Sequence, residues 1–137
     1  MSNTPPVKVL VVDDNAHVRT LVREVLSSMG MEVREATDGA MALNTMKQWR
    51  PDVAMVDYEM QPMDGAKFTR MVRQNPTLRN LPILMMTAHG DAARVMEARD
   101  AGINGLIAKP LSIGSIVDRL EKVLSRTTGR SDISRAA

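Results

Sequence analysis

Cysteine is absent from this 137-residue sequence, and the aromatic residues amount to one Trp, one Tyr and one Phe. Without cysteine the chain has no disulfide framework, no zinc–thiolate site and no cysteine nucleophile. So few rings argue against base stacking as a main activity, and a net charge of +2 is too small to indicate nucleic-acid binding. The histidines, His17 and His89, cannot build a metal cage by themselves.

Long apolar runs are also missing. A typical run, Val9 to Val12, is far shorter than the ~20 residues that a membrane-spanning helix needs. Residues 1–7 lack the basic-then-apolar order of a signal peptide. We therefore expect a soluble cytoplasmic protein without a membrane partner. The length fits one domain, which we place at residues 1–125, followed by a flexible Arg-containing tail at residues 126–137.

The sequence alternates short β-branched runs with longer amphipathic stretches. Asn15 fits a helix N-cap, Gly30 and Gly102 fit helix ends, and Asp38–Gly39 is typical of a turn. The predicted strands, each followed by apolar residues at helical spacing, are 7–12, 31–36, 52–56, 81–86 and 105–108. Five such units predict an α/β fold, namely a doubly wound five-stranded parallel sheet of the flavodoxin-like (βα)5 type with strand order 2-1-3-4-5.

Polar and charged residues stand where the predicted strands end. Asp13 and Asp14 follow the first strand, Asp57 the third, Thr87 the fourth and Lys109 the fifth. In an open α/β sheet, ligands bind beyond the carboxyl ends of the strands, where the strand order reverses. Because strands one and three are neighbours in the predicted order, three carboxylates converge on one crevice, beside a hydroxyl and an ammonium group.

Three neighbouring carboxylates repel one another and raise each other's pKa values unless a cation joins them. Mg²⁺ prefers hard oxygen ligands of this kind and retains several of its waters. Asp13, Asp14 and Asp57 are therefore candidate Mg²⁺ ligands, together with the backbone carbonyl of Glu59.

A carboxylate that is left partly free can attack phosphorus and form an aspartyl phosphate. The central Asp57 is the best candidate, with Lys109 adding positive charge and Thr87 donating its hydroxyl to a phosphoryl oxygen. Each residue alone has a simpler interpretation: an acid at a turn or cap, a threonine in a strand, a solvated lysine. Their joint occurrence at separate strand ends favours the functional interpretation.

Four motifs occur in order: Val-Val-Asp-Asp-Asn at 11–15, Val-Asp-Tyr-Glu-Met-Gln-Pro-Met-Asp-Gly at 56–65, Met-Thr-Ala-His at 86–89 and Ala-Lys-Pro at 108–110. From Val7 to Leu124 the chain thereby resembles a response-regulator receiver domain of the chemotaxis CheY type, as a stand-alone domain. The resemblance implies that Asp57 accepts phosphate from a phosphohistidine of a sensor histidine kinase or histidine phosphotransferase. It also implies the Mg²⁺ ligands named above.

The resemblance assigns roles to neighbouring residues as well. Thr87, the small Ala88 and Lys109 would contact the phosphoryl group and switch with it. The Lys109–Pro110 peptide bond would be cis, which only X-Pro bonds tolerate cheaply. Gly65 matches a loop glycine of the family, for which we expect backbone freedom to be the reason.

Two features depart from the family pattern or vary within it. Leu106 stands where the family usually has an aromatic switch residue, so the usual Thr–aromatic signal lacks its ring and hydroxyl. Glu59 and His89 match variable positions that tune how fast water removes the phosphate. Glu59 could touch the metal indirectly or hinder attacking water, and His89 could interact with Glu59 or titrate near neutral pH. The alternative is that both are solvated loop side chains.

Phosphorylation adds ~1.5–2 negative charges. Because we expect only a tail after residue 125, we expect the signal output to be a change in the affinity for an unknown protein. The resemblance implies that this partner binds the face formed by the fourth helix, fifth strand and fifth helix. We expect the protein itself to be a monomer or a phosphorylation-dependent dimer. Arg126, Arg130 and Arg135 could bind a nucleotide second messenger or an acidic partner, although a solvated tail is the simpler interpretation.

Other functions on the same sheet are weaker interpretations. A relay intermediate that passes phosphate onward remains open. An Asp-nucleophile phosphohydrolase typically carries Asp-x-Asp after the first strand, whereas Asp13 and Asp14 are adjacent here. A flavin carrier needs a Ser/Thr-rich phosphate loop and stacking aromatics in place of two acids. We therefore predict a phosphoacceptor that gains and loses phosphate itself and is not a turnover enzyme.

Overall fold

The computed structural model describes residues 4–128, which alternate strictly between strands and helices. The strands are β1 (Lys8–Val12), β2 (Glu32–Ala36), β3 (Val53–Asp57), β4 (Ile83–Thr87) and β5 (Gly105–Ala108). The helices are α1 (Ala16–Ser28), α2 (Gly39–Thr45), α3 (Gly65–Gln74), α4 (Ala92–Ala101) and α5 (Ile113–Thr128). Each predicted strand overlaps an observed one, so the predicted (βα)5 architecture is confirmed.

The strands pair in parallel in the order β2-β1-β3-β4-β5, as predicted. β1 and β3 are neighbours, with Val12 opposite Val56 in the register. Asp57 lies opposite Met86 at the end of β3, one residue before Thr87 ends β4. The carboxyl ends of the central strands therefore meet at one edge of the sheet, where the candidate site residues stand.

Helices cover both faces of this sheet. Successive strand residues point to opposite faces, so Val9 and Val11 pack in the layer with α1 and α5, whereas Leu10 and Val12 pack in the layer with α2 and α3. All four side chains are fully buried. Burial on both faces is the reason that the central strands β1, β3 and β4 are nearly continuous apolar runs, whereas the edge strand β2 carries three charged residues.

Side-chain oxygens cap the first four helices. The caps, each accepting a backbone N–H of the first turn, are Asn15, Asp38, Asp64 and Asp91. The Asn15 cap and the positive φ angles of Gly30 and Gly102 at helix ends agree with the predictions. The predicted Asp38–Gly39 turn is wrong, because Asp38 caps α2 and Gly39 is its first residue. Turns and caps share a sequence signal because a short Asp side chain bonds nearby backbone N–H groups in both.

Helix α5 continues to Thr128, past the predicted domain end at residue 125. Arg126 therefore lies in the last turn of a helix and not in a flexible tail. The apolar periodicity fades after Leu124, which is why the sequence pattern ended the helix early. Arg130, Arg135 and the rest of the predicted tail lie outside the described residues. Within residues 4–128, no helix has both the length and the apolar character that crossing a membrane requires.

Gly65 is held against the end of β3 by a close backbone approach. Its φ is not positive, since Gly30 and Gly102 are the glycines with positive φ, so backbone freedom is the wrong reason for this glycine. A Cβ at residue 65 would lie 2.5 Å from the carbonyl oxygen of Asp57 and 3.0 Å from the Cα of Tyr58. The first residue of α3 must therefore lack a side chain for the loop to pack against Asp57.

We expect Gly65→Ala to lower the free energy of unfolding by ~1–3 kcal/mol, the usual cost of overpacking, because main-chain atoms at Asp57 must move. Urea denaturation measures the change. Gly114→Ala is the matched control, since nothing lies within 4 Å of its added Cβ and alanine in α5 should be neutral or stabilising by ~0.5–1 kcal/mol. Equal effects of the two substitutions would contradict the close-approach explanation.

Candidate functional site

Three carboxylates come together at the carboxyl end of the sheet. Asp13 and Asp14 follow β1 directly, and Asp57 is the last residue of β3. Each offers an oxygen that lies within 4.8 Å of those of the other two. Asp13 and Asp57 are buried, at 0% and 2% exposure, whereas Asp14 is exposed. The predicted acidic crevice therefore exists, with one of its walls open to solvent.

Lys109 joins two of these acids. Its Nζ lies 2.8 Å from Oδ2 of Asp13 and 3.1 Å from Oδ1 of Asp57. The backbone N–H of Lys109 donates to the carbonyl of Thr87, and the Lys109–Pro110 peptide bond is cis. Burial acts to lower the pKa of Lys109, but its hydrogen bond to Asp13 and the charges of Asp13 and Asp57 outweigh burial and raise that pKa. Lys109 therefore remains a fixed positive charge in the crevice.

The Asp57 carboxyl group is hard to ionise in this setting. Burial, followed by repulsion from Asp13, raises its pKa from 3.8 to about 7, although the charge and hydrogen bond of Lys109 act in the opposite direction. Glu59 adds a smaller repulsion. One ammonium group thus does not neutralise the crevice, so a further cation would be stabilised in it.

The available donors suit Mg²⁺. They are all hard carboxylate oxygens, with no sulfur or imidazole among them, and Mg²⁺ binds through one or two carboxylates while keeping several waters. The exposed Asp14 leaves room for those waters. The backbone N–H of Glu59 bonds Oδ1 of Asp57 at 3.3 Å, so the loop after β3 turns back over Asp57. A metal contact of the Glu59 carbonyl remains a prediction.

Thr87 and Ala88 bind the side chain of Glu59. The Thr87 hydroxyl donates to Oε2 of Glu59 at 2.7 Å, and the Ala88 backbone N–H donates to Oε1 at 3.0 Å. The carbonyl of His89 lies 3.1 Å from the same hydroxyl, and the His89 backbone N–H donates to it at 3.0 Å. Thr87 itself is buried, at 4% exposure, and Glu59 is half-buried. The Glu59 carboxylate thus accepts hydrogen bonds from two donors beside Asp57. The sequence analysis did not predict these two hydrogen bonds.

The remaining predicted residues lie at the edge of the site. Ala88 and His89 are exposed, and within residues 4–128 no hydrogen bond or ion pair involves the His89 imidazole, so the expected contact between His89 and the Glu59 side chain is not formed. Leu106 is half-buried in β5, opposite Met85 in the register, and lies away from the acids.

Tyr58 connects the site to helix α4, and nothing in the sequence pattern indicated this contact. Its hydroxyl donates to Oε1 of Glu97 at 2.9 Å, and the Arg94 guanidinium lies 5.8 Å from its ring centroid. Burial and the hydrogen bond to Glu97 raise the pKa of Tyr58 to about 12. The residue that follows Asp57 is therefore tied to α4 across 39 positions of the sequence.

Comparison with known proteins gives one consistent result. The family model for the response regulator receiver domain matches residues 9–121. Chemotaxis protein CheY-3 of Vibrio cholerae is 34% identical over 120 residues, covering 87% of this chain and 92% of the relative. The structure of chemotaxis response regulator CheY4 of Vibrio cholerae has a TM-score of 0.83 and 33% identity, covering 88% of this chain and 100% of that one.

A third comparison concerns the metal. The receiver domain of a sensor histidine kinase from Pseudomonas aeruginosa has a TM-score of 0.78 and 28% identity, covering 92% of this chain and 100% of that one. That domain has a magnesium ion coordinated in its active-site cleft.

The raised pKa of Asp57 predicts how stability depends on pH in the metal-free protein. The unfolded chain loses this proton near 3.8 and the folded one near 7, so between these values the folded state binds more protons and stability falls as pH rises. Asp57→Asn should remove this part of the slope and be more stable than the parent at about pH 8, by on the order of 2 kcal/mol.

Urea unfolding in EDTA at about pH 5 and about pH 8 measures this difference. Asp64→Asn is a suitable control, because asparagine preserves the α3 cap and should leave the slope unchanged. An Asp57→Asn protein that is less stable than the parent at the higher pH would show that the Asp57 carboxylate is not repelled in the folded state.

Proposed function

Since this chain belongs to the family of response regulator receiver domains, and is therefore a phosphoacceptor protein of two-component signalling, we propose that Asp57 is the residue that accepts the phosphoryl group. The observation that carries the proposal is the position of Asp57 at the end of β3, buried between Asp13 and Lys109. The donor is the phosphohistidine of a histidine kinase or a histidine phosphotransferase.

In the proposed reaction a carboxylate oxygen of Asp57 attacks the phosphorus of the donor. The new O–P bond forms as the N–P bond to the donor imidazole breaks, and the imidazole nitrogen takes up a proton. Mg²⁺ held by Asp13, Asp14, Asp57 and the Glu59 carbonyl would supply positive charge. That charge would offset the repulsion between the acids and the phosphoryl group. Lys109, 3.1 Å from Asp57, is placed to bind a phosphoryl oxygen.

Loss of the phosphoryl group returns the protein to its resting state. Water attacks phosphorus, the bond to the Asp57 oxygen breaks, and inorganic phosphate leaves. Glu59 and His89, which lie at the rim of the site, tune the rate of this step in our proposal. Thr87 and Ala88 are the switch residues that contact the phosphoryl group. The protein thus gains and loses phosphate on one of its own residues and is not a turnover enzyme.

Signal output is proposed to occur through protein contacts at the face of α4, β5 and α5. A cavity of about 410 Å³ lies on this face, with Val95, Ile103 and Leu106 as its apolar part. Arg99 of α4 and Arg119 and Arg126 of α5 also line it. β5 is one of the two edge strands of the sheet, so this cavity lies at an edge of the sheet.

Within residues 4–128, the three guanidinium groups of this cavity form no hydrogen bond or ion pair, whereas six of the other eight arginines there contact a carboxylate, a neutral oxygen or an aromatic ring. Arginines with partners bind Glu35, the Thr77 carbonyl, the Trp49 ring, Asp91, or the carbonyls around Gly102. Carboxylates fit guanidinium groups bidentately. We therefore propose that the output partner presents an acidic segment to this face, whether it meets a monomer or a phosphorylation-dependent dimer.

The receiver domain, which the sequence places at residues 1–125, extends to the end of α5 at Thr128. The exchange takes place in the cytoplasm, without nucleic acid. The protein acts at the end of its pathway, and passing phosphate onward to a phosphotransferase is the alternative.

Incubation with Mg²⁺ and acetyl phosphate should add one phosphoryl group to the protein, as measured by intact mass. Asp57→Asn should abolish this gain, because Asp57 is the proposed nucleophile, whereas Asp13, the other buried carboxylate in contact with Lys109, is assigned to the Mg²⁺ in the proposal. Asp64→Asn, a carboxylate change in the same loop that preserves a helix cap, should leave it intact. Phosphate retained by the Asp57→Asn protein would refute the assignment, and sustained hydrolysis of many phosphate esters would favour a phosphohydrolase.

Replacing Arg99, Arg119 and Arg126 together with glutamine should weaken binding of an oligo-glutamate peptide at least about tenfold, since each lost charged contact removes about 1 kcal/mol or more. NMR titration measures the affinity and should show shifts at Val95 and Leu106. Replacement of Arg70 and Arg79 with glutamine serves as the control, because their guanidinium groups form no hydrogen bond or ion pair within residues 4–128 and do not line this cavity. An equal loss of affinity per removed charge in both variants would mean that the peptide responds only to net charge.

A further inference from the structure

The Glu59 carboxylate sits on the donors that the proposed function assigns to the phosphoryl group. Its two oxygens accept from two different groups, the Thr87 hydroxyl at 2.7 Å and the Ala88 backbone N–H at 3.0 Å. This is how two oxygens of a bound phosphoryl group would be held. An anion from the chain itself therefore already fills these donors in the resting protein.

The contact with Glu59 also occupies the Thr87 hydroxyl. Thr87 is buried at 4% exposure and ends β4, and its hydroxyl oxygen also accepts from the His89 backbone N–H. The hydroxyl has one proton, and its acceptors are Oε2 of Glu59 at 2.7 Å and the His89 carbonyl at 3.1 Å, so a proton donated to the closer, charged Glu59 is not available to a second anion. A phosphoryl group on Asp57 can use Thr87 only after the Glu59 side chain has left.

We propose that Glu59 acts as a built-in competitor of the phosphoryl group, so that phosphorylation of Asp57 exchanges one anion for another on Thr87 and Ala88. The inference rests on the proposed function of Asp57. Glu59 is a positioning residue in this scheme, because it acts through Thr87 and Ala88 and forms no bond to phosphorus. Its half-buried position lets the released carboxylate move into solvent.

Two consequences follow from the exchange. The phosphorylated state binds its new anion less tightly than the donors alone would permit, because the Glu59 contact must first be broken. The loop from Thr87 to His89 also changes partner abruptly: it is bound to the β3–α3 loop in the resting protein and to the phosphoryl group on Asp57 afterwards. Such a replacement of one set of bonds by another is a two-state change at the start of the segment that leads to α4.

The test uses beryllofluoride, a phosphoryl mimic, bound to the full chain in the presence of Mg²⁺ and measured by calorimetry. Glu59→Ala should bind it about tenfold more tightly or better, the factor expected for removing a hydrogen bond to a charged group that must otherwise be broken. Glu59→Gln retains one oxygen that can accept from Thr87 or Ala88, so it should fall between the parent and the alanine variant.

The Gln variant separates this mechanism from plain charge repulsion. If loss of charge were the whole effect, Gln and Ala would raise the affinity equally, and that result would overturn the proposal. Unchanged affinity in both variants would overturn it as well. If the parent protein failed to bind beryllofluoride at all, the proposed role of Asp57 would fail instead.

A second measurement tests the contact without any ligand. Hydrogen exchange of the Ala88 amide, followed by NMR, should be slowed in the parent because its N–H is bonded to Glu59 although the residue itself is exposed. Glu59→Ala should speed this exchange, while the Arg94 amide, which bonds Asp91, serves as the unaffected reference. Fast exchange of Ala88 in the parent would contradict the competitor role whatever the result with beryllofluoride.

Discussion

The structure depends on how one ammonium group is shared between two buried carboxylates. Lys109 reaches both Asp13 and Asp57, yet burial and mutual repulsion still raise the pKa of Asp57 to about 7. The crevice is thus short of positive charge. The cause is the 2-1-3-4-5 strand order, which makes the ends of β1 and β3 neighbours and so brings their carboxylates together. In the proposed function, that shortage makes the crevice a binding site for a divalent cation and for the phosphoryl group that it neutralises.

A second anionic centre lies beside the first. Glu59 belongs to the loop that begins at Asp57, but its side chain faces Thr87 and Ala88 and not the ammonium group of Lys109. The acids that would hold a cation and the donors that would hold a phosphoryl group in the proposed function are therefore separate in the resting protein. A phosphoryl group on Asp57 would have to span both sets, which links the chemistry at β3 to the loop before α4.

Much of this arrangement follows from the sequence, because each site residue ends an apolar run and a parallel sheet brings such ends together. The positions of Asp57 and Lys109 could be predicted on that basis. The hydrogen bond between Glu59 and Thr87 could not be predicted. It joins two side chains that are 28 positions apart, and such a contact leaves no periodic signal in the sequence. The end of α5 was missed for a related reason: backbone hydrogen bonds continue past Leu124, where the buried apolar stripe stops.

The most direct test of the central claim is a crystal structure of the protein with Mg²⁺ and beryllofluoride. The account predicts beryllium bonded to a carboxylate oxygen of Asp57, fluorines in contact with Lys109, Thr87 and Ala88, and the Glu59 side chain displaced into solvent. Beryllofluoride bound at another residue, or an Asp57 side chain turned away from Asp13 and Lys109 in the complex, would contradict it.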